Sequence, residues 1–377
     1  MLVTADLAQK SQHSTWIEVR LDHLLSNLKV LKQHAGPRSQ VMTVVKANAY
    51  GHGLLEIAKA LSPHVAYLGV ASLAEALSLR ERQISAPVFL FGRVFGADLP
   101  AVLTEGVTLS VSSFDEAQEI SEISQSVSRK TPVHVKVDTG MGRLGIQYDK
   151  AFAQIERMAA LPAINLEGIY THFPSAESED GFREEQVRLF AALLQELEMK
   201  GITFRFRHAA NSAGTLKVHS PVFNLVRPGI MLYGLLSDPV LAETVSVSPV
   251  LSLKSRIISV KQIREGDSVG YGRNYVAASP THIAILPIGY SHGYPFSLSN
   301  RSWVLYKGVR YPIAGRVSMD YLAVDLGKTE ARIGDEVFLI GGEGPQAIRA
   351  EELAHWGATI PYEIVTRLAP NLPRFYR

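Results

Sequence analysis

The 377-residue chain has no cysteine. That excludes disulfides and thiolate chemistry, and it leaves any zinc site to histidines and carboxylates. An excess of one charge is also missing. The 38 Lys and Arg residues oppose 36 Asp and Glu, and a net charge of +2 offers no electrostatic footprint for nucleic acid. No apolar run approaches the ~18 residues of a membrane span. Met1 to Ser14 lacks the apolar core of a signal peptide, so a cytoplasmic location is the default expectation. Internal repeats and low-complexity tracts are absent too. What is present is ordinary globular composition, 46% hydrophobic and 20% charged, long enough for two domains.

Beyond a polar leader, Asp22 is placed to cap a helix with Leu24, Leu25, Leu28 and Leu31 on one face. Short apolar runs then alternate with helical stretches. Strands are predicted at 41–46, 67–71, 88–92, 107–111, 133–138, 166–172, 204–208 and 223–227. One helical stretch runs from Ser72 to Arg82. In another, Phe182, Val187, Phe190, Leu193, Leu194 and Leu197 recur at near-helical spacing. Eight strands alternating with helices read as a TIM (β/α)8 barrel, with a doubly wound open sheet as the competitor. The polar residues favour the barrel. Lys46, Asp138 with Arg143, His172, His208 with Asn211 and Ser212, and Arg227 all fall at or just past strand C-termini, which a barrel gathers on one face. After about residue 240 the pattern changes. Strand-like segments from Val250 to Ile340 are broken by Gly, Pro and Asp turns, without a long helical pattern between them. The expected organisation is an α/β chain, with a barrel over 1–245 followed by a mostly antiparallel β domain over 246–377.

The segment Val44-Val45-Lys46-Ala47-Asn48-Ala49-Tyr50-Gly51-His52-Gly53 carries the most chemistry. A lysine in a mostly apolar pocket has its charged form penalised, so its pKa falls. A neutral amine can form a Schiff base with a carbonyl. The glycine-rich turn that follows can present backbone N–H groups and a phenol to a phosphate. Lysine plus phosphate cradle suggests pyridoxal 5'-phosphate (PLP).

Separated motifs strengthen this. They are Lys136-Val137-Asp138-Thr139-Gly140-Met141-Gly142-Arg143, Thr171-His172-Phe173, His208-Ala209-Ala210-Asn211-Ser212, Val226-Arg227-Pro228-Gly229-Ile230, Gly270-Tyr271-Gly272 and Ser318-Met319-Asp320. In this order and spacing, over nearly the whole chain, the sequence resembles alanine racemase, a fold-type III PLP enzyme. The resemblance implies an isomerase that interconverts L-alanine and D-alanine, supplying D-alanine for peptidoglycan, and that works as a homodimer with shared sites. Lys46 would hold PLP and act as one base, and Tyr271 of the partner subunit would act as the other. His172 would link that tyrosine to Arg227, which would donate to the PLP ring nitrogen. Tyr50, Ser212, the backbone of Gly229 and Ile230, and Tyr362 would hold the phosphate. Arg143 and the Met319 N–H would bind the substrate carboxylate. Lys136 matches a lysine that some members carry as a carbamate; uncarbamylated, it would need a compensating anion near Arg143. No metal is implied.

The chain departs from the family pattern at Ser318, where cysteine is frequent, and at Glu177, where aspartate is common. It also departs at Ser291-His292 and Phe296, where the family usually has Ala-Asp and often an arginine along the substrate corridor. The catalytic residues are untouched. Corridor charge bears on substrate range, so a serine/alanine racemase is the alternative enzyme. A fold-type III decarboxylase would typically need a cysteine in its site. A non-enzymatic PLP carrier would resemble the barrel alone, without the β domain that carries Tyr271. Two outcomes are expected. Lys46→Ala abolishes both the visible absorbance of bound PLP and racemisation, and retention of both would sink the Schiff-base assignment. In an initial-rate panel of amino acids alanine is the major substrate, and its ranking as a minor one would favour the broader racemase.

Overall fold

The computed structural model describes residues 12–377; the leader and signal-peptide readings for residues 1–11 lie outside the described residues. Strand β1 (Thr15–Val19) comes first. Next come β2 (Gln40–Val44), β3 (Tyr67–Val70), β4 (Val88–Leu90), β5 (Thr108–Val111), β6 (Thr131–Asp138), the two-residue β7 (Ile146–Gln147), β8 (Ile164–Tyr170), β9 (Phe206–His208) and β10 (Leu225–Val226). Eight of these pair in parallel in the order β5-β4-β3-β2-β10-β9-β8-β6, and β5 pairs with β6 to close the barrel. All eight predicted strands are present and the TIM-like architecture holds. Closure requires both faces of each strand to be covered, which is why these segments read as near-continuous apolar runs. Inside the barrel, Met42, Tyr67, Phe89, Tyr170, Phe206 and Leu225 form a buried cluster. His134 and His208 are fully buried among these rings.

The helix predicted from Asp22 spans Leu21–Ala35 and buries Leu24, Leu28 and Leu31. Its N-cap is Arg20, however, with no side-chain cap bond. Asp22 lies inside the first turn and accepts from Arg20 at 2.6 and 2.8 Å, which corrects its assignment as the cap. In the helix Leu73–Glu81, the Ser72 hydroxyl accepts from the Glu75 N–H, and the Glu75 carboxylate accepts from the Ser72 N–H. This is the reciprocal capping box. The helix Phe182–Met199 buries Phe190, Leu193 and Leu197 against the barrel; Phe182 itself is half-exposed at its start.

The second domain contains β11 (Leu251–Arg256), β12 (Ser259–Ile263), β13 (Ser268–Val269), β14 (Tyr275–Val276), β15 (Thr281–Leu286), β16 (Trp303–Tyr306), β17 (Val309–Pro312), β18 (Leu322–Asp325), β19 (Glu336–Ile340) and β20 (Arg374–Tyr376). Its six-stranded sheet has the order β17-β16-β19-β11-β1-β20. The N-terminal strand β1 therefore belongs to this sheet. It lies antiparallel to β11, with Ile17 opposite Leu253, and parallel to β20. Thr15–Val19 is buried throughout, so the stretch read as polar leader ends in a core strand. Its three apolar residues, Trp16, Ile17 and Val19, are too few to stand out against the polar residues before them. A three-stranded antiparallel sheet, β12-β15-β18, completes the domain with the β13-β14 hairpin. Two short helices follow, Ala350–Trp356 and Pro361–Thr366.

Strand β20 and the last helix press against the turn that follows β2. The Arg374 Nε donates to the Gly51 carbonyl at 2.9 Å, and the Tyr376 hydroxyl donates to the His52 carbonyl at 3.2 Å. A Cβ on Gly51, whose φ is 81°, would stand 2.0 Å from the Val365 carbonyl oxygen. Gly51→Ala should therefore lower stability by about 2 kcal/mol or more, through left-handed strain and a clash with backbone. A urea-unfolding midpoint equal to wild type would contradict this close approach.

Candidate active site

The C-terminal ends of the barrel strands open into one cleft. Lys46 follows β2, Lys136 lies in β6 with Arg143 in the loop beyond, and His172 follows β8. Ser212 follows β9, Arg227 follows β10 and leads to Gly229 and Ile230, and Tyr362 arrives from the helix Pro361–Thr366. All of these line the cleft, together with Tyr50, Tyr170 and Asn211. Among the described residues the lining contains four cationic side chains, Lys46, Lys136, Arg143 and Arg227, and no carboxylate.

Lys46 does not end a strand. Strand β2 stops at Val44, and Lys46 opens a turn in which Ala47, Asn48, Ala49 and Tyr50 have φ of 54°, 54°, 53° and 53°. Left-handed backbone costs about 1–2 kcal/mol for each L-residue that adopts it. The expected apolar pocket is also corrected: Lys46 is accessible from the cleft and faces cations. Desolvation by the surrounding protein lowers its pKa, as does the charge of Arg143; Glu75 opposes them, and Arg227 lowers it further. The amine is thus biased towards its neutral, nucleophilic form.

Arg227 is buried, with no direct carboxylate partner among the described residues. Its guanidinium donates to His208 Nδ1 at 2.7 Å, to the Thr171 and Ala209 carbonyls at 2.9 and 2.8 Å, and to His172 Nδ1 at 3.1 Å. Burial lowers its pKa to about 10, so it stays protonated at neutral pH. Because arginine only donates, the two histidines must present bare Nδ1 atoms to it. His208 then offers its Nε2–H to His134 Nδ1 at 2.8 Å. Residue spacing placed His208 at a strand end without revealing it as a partner of Arg227.

Lys136 is buried, and its pKa is lowered to about 8 by desolvation and then by Arg143 and Arg227. The expected compensating anion is Asp138, which acts only weakly. Its oxygens accept the N–H groups of Gly140, Met141 and Gly142 at 2.8 to 3.1 Å, and no carboxylate pairs with the Lys136 amine among the described residues.

On the opposite wall the Ser212 hydroxyl accepts the N–H groups of Gly229 and Met231 at 2.9 and 3.3 Å. A Cβ on Gly229 would stand 2.5 Å from the Tyr50 hydroxyl, so only glycine leaves this corner open. The Tyr50 and Tyr362 rings lie 6.1 Å apart. Burial pushes the Tyr362 hydroxyl up to about 12, with the nearby Glu177 adding to the shift. Burial likewise raises the Tyr50 phenol, so both tyrosines are donors. A cluster of hydroxyl donors, an accessible amine and unpaired cations fits a ligand that carries a phosphate and an aldehyde.

Tyr271 and Met319 do not line this cleft. Tyr271 lies in the turn Tyr271–Arg273 with 72% of its surface exposed, and Met319 is 55% exposed. Tyr290, Phe296 and Tyr321 are exposed too. Ser291 ties this face together, donating from its hydroxyl to the Asp320 carboxylate at 2.8 Å or to the Met319 carbonyl at 2.9 Å. Among the described residues, no group of three or more His, Asp or Glu side chains could hold a metal ion, and no helix is long and apolar enough to cross a membrane.

Comparison with known proteins agrees with the fold. Residues 19–237 match the family model for the alanine racemase N-terminal domain, and residues 250–376 match that for the alanine racemase C-terminal domain. An alanine racemase from Desulforamulus reducens is 40% identical over 366 residues, covering 96% of this chain and 98% of that one. A solved alanine racemase from Clostridium difficile 630 superposes with a TM-score of 0.92 at 33% identity, covering 97% of this chain and 96% of that one. One from Bacillus anthracis, solved with bound L-Ala-P, has a TM-score of 0.90 at 34% identity, with 97% and 95% covered. The chain is thus a barrel enzyme of the isomerase class. It belongs to the alanine racemase family.

The His172 ring offers a direct check of this electrostatic picture. Burial, then the charges of Arg227, Arg143, Lys136 and Lys46, lowers its pKa to about 3 from 6.5. As pH falls below 6.5 the unfolded chain takes this proton first, so stability drops progressively towards pH 3. NMR of ¹⁵N-histidine protein should find the His172 ring still neutral at pH 5. A midpoint near 6.5 would refute the cationic environment drawn here.

Proposed function

We propose that the chain is a PLP-dependent alanine racemase that moves the substrate Cα proton between Lys46 and the Tyr271 of a second copy. The observation that carries this reading is the cleft itself. An amine of lowered pKa stands among cations and hydroxyl donors, and among the described residues no carboxylate lines the cleft with them. When bound, PLP would supply the aldehyde that captures an amino acid and the ring that acidifies its Cα–H bond.

Tyr50, Tyr362 and Ser212 would donate to the phosphate, and the glycine at position 229 keeps that corner open. Arg143 would meet the substrate carboxylate by a bidentate fork. The Met319 N–H of the second copy would add to it. Arg227 would donate to the ring nitrogen without surrendering its proton. Its four neutral acceptors leave its charge uncancelled, which supports that role. A ring nitrogen left unprotonated draws electrons weakly, and that disfavours transamination. Lys136, with a pKa near 8, has enough neutral amine to add to carbon dioxide. The adduct is a carbamate and a released proton, and its negative charge would sit beside Arg143.

Racemisation needs a proton removed on one face of Cα and returned on the other. Lys46 supplies one face. The other would belong to Tyr271, which its own chain leaves exposed, as it does Tyr290, Phe296 and Tyr321. A homodimer that buries Tyr271 would carry it to the partner's cleft. His172, with its Nδ1 occupied by Arg227, is left with an Nε2–H to offer that phenol. The product D-alanine would serve peptidoglycan synthesis, in the cytoplasm.

Tyr271→Phe is expected to bind PLP with unchanged visible absorbance and to lose racemisation by a factor of about 10² or more, the scale of one general acid–base group. In deuterated water it should still exchange the Cα proton of one alanine enantiomer, through Lys46. Unchanged racemisation would remove Tyr271 from the mechanism.

A further inference from the structure

The turn after Lys46 meets a carboxylate that the cleft does not contain. Glu75, in the helix Leu73–Glu81, accepts the Ala47 N–H through Oε1 at 2.6 Å. Its Oε2 accepts the N–H groups of Ala71 and Ser72 at 2.9 and 3.2 Å, where β3 gives way to that helix. One carboxylate thereby joins two consecutive strand–helix corners of the barrel. Most other amides of the turn bond within it: Ala49 N–H to the Val45 carbonyl, Gly51 N–H to Ala47, and Gly53 N–H to Asn48. The Ala47 N–H, adjacent to the lysine, is held from outside. The Ala47 conformation, with φ 54° and ψ 53°, is the first of four left-handed residues and sets the direction in which the chain leaves Lys46.

We infer that Glu75 is a positioning residue for Lys46: through the Ala47 N–H it locks the entry to the left-handed turn and brings one negative charge to the lysine from behind. A charge-assisted hydrogen bond of this length contributes enough to offset the strain of about one such residue. Its charge opposes the combined effect of desolvation and Arg143 on the amine. Without it, Lys46 would lose both a fixed approach and its one stabilising anion in that set. The residue is recognisable in sequence only as the third helical position of a capping box, Ser72-Leu73-Ala74-Glu75. That reading accounts for the Ser72 N–H and leaves the Ala47 bond unseen.

The role of Lys46 rests on the proposed function, but the test uses PLP-free protein and so fails or succeeds apart from it. Competitive acetylation with limiting acetic anhydride, followed across pH by mass spectrometry, reports the acidity of Lys46. Amide hydrogen exchange reports the turn 47–53. In Glu75→Ala, exchange over 47–53 should quicken by about tenfold or more, as expected for loss of a hydrogen bond to a charged group. The Lys46 acetylation midpoint should move to lower pH. Glu75→Gln, which keeps an acceptor but no charge, should move the midpoint the same way with a smaller rise in exchange. Ser72→Ala removes the cap hydroxyl of the same helix and spares the Ala47 bond, so it should leave both readouts at wild type. Unchanged exchange over 47–53 in Glu75→Ala would overturn the inference. Equal effects from Ser72→Ala would overturn it too, because they would assign the change to a loosened helix.

Discussion

The backbone between Lys46 and Gly53 is the constraint on which the rest of the molecule depends. Four consecutive L-residues there hold positive φ, at a cost no local sequence preference would meet. Elements from across the chain hold them in place. The barrel ladder anchors Val45 to the Gly69 carbonyl, Glu75 takes the Ala47 N–H, and the Asn48 side chain accepts the Leu54 N–H at 2.8 Å. The His52 ring turns back on the Ala49 and Tyr50 carbonyls, and Arg374 and Tyr376 reach in from the second domain's sheet. Strain at a functional site persists where its surroundings over-determine it. Here the surroundings include the last strand of the chain, which pairs with the first described one, so the lysine is fixed by both domains at once.

A second constraint is electrostatic. Burying Arg227 among neutral acceptors and lining the cleft with three more cations is costly in a protein of near-neutral net charge. The arrangement lowers the pKa of Lys46, Lys136 and His172 together, each by desolvation first and neighbouring cations next. A ligand bearing a phosphate and a carboxylate would relieve that repulsion. The same field would keep Lys46 a competent base and His172 a neutral donor. One cause would thereby serve both the binding and the proton transfer proposed above.

The barrel was legible because its strands are apolar on both faces and its chemistry falls at their C-terminal ends. The cleft residues followed, since Lys46, Arg143, His172, Ser212 and Arg227 each sit at or just past a predicted strand end, whereas Lys136 lies within one. What escaped the sequence was nonlocal. Thr15–Val19 is a core strand because β11 and β20 flank it, and neither neighbour can be inferred from five residues. Lys46 looked like a strand terminus because a left-handed turn of Ala-Asn-Ala-Tyr has no propensity signature; it exists only under its clamps. Asp22 resembled a cap because acidic residues suit both the N-cap and the first turn, and Arg20 decided between them. The cations around Lys46 lie 90 or more positions away in sequence, so an apolar pocket was the natural expectation for a lysine after a β-branched run.

The central claim is that one site is built from two chains, with Lys46 from one and Tyr271 from the other. Mixing inactive Lys46→Ala and Tyr271→Phe proteins, with subunit exchange under mild denaturant, tests it most directly. Mixed dimers would carry one site with both native residues and one with neither. Equal mixing should therefore restore about a quarter of wild-type racemisation, as random pairing within a two-fold dimer requires. A mixture as inactive as its components, despite demonstrated subunit exchange, would contradict the shared site.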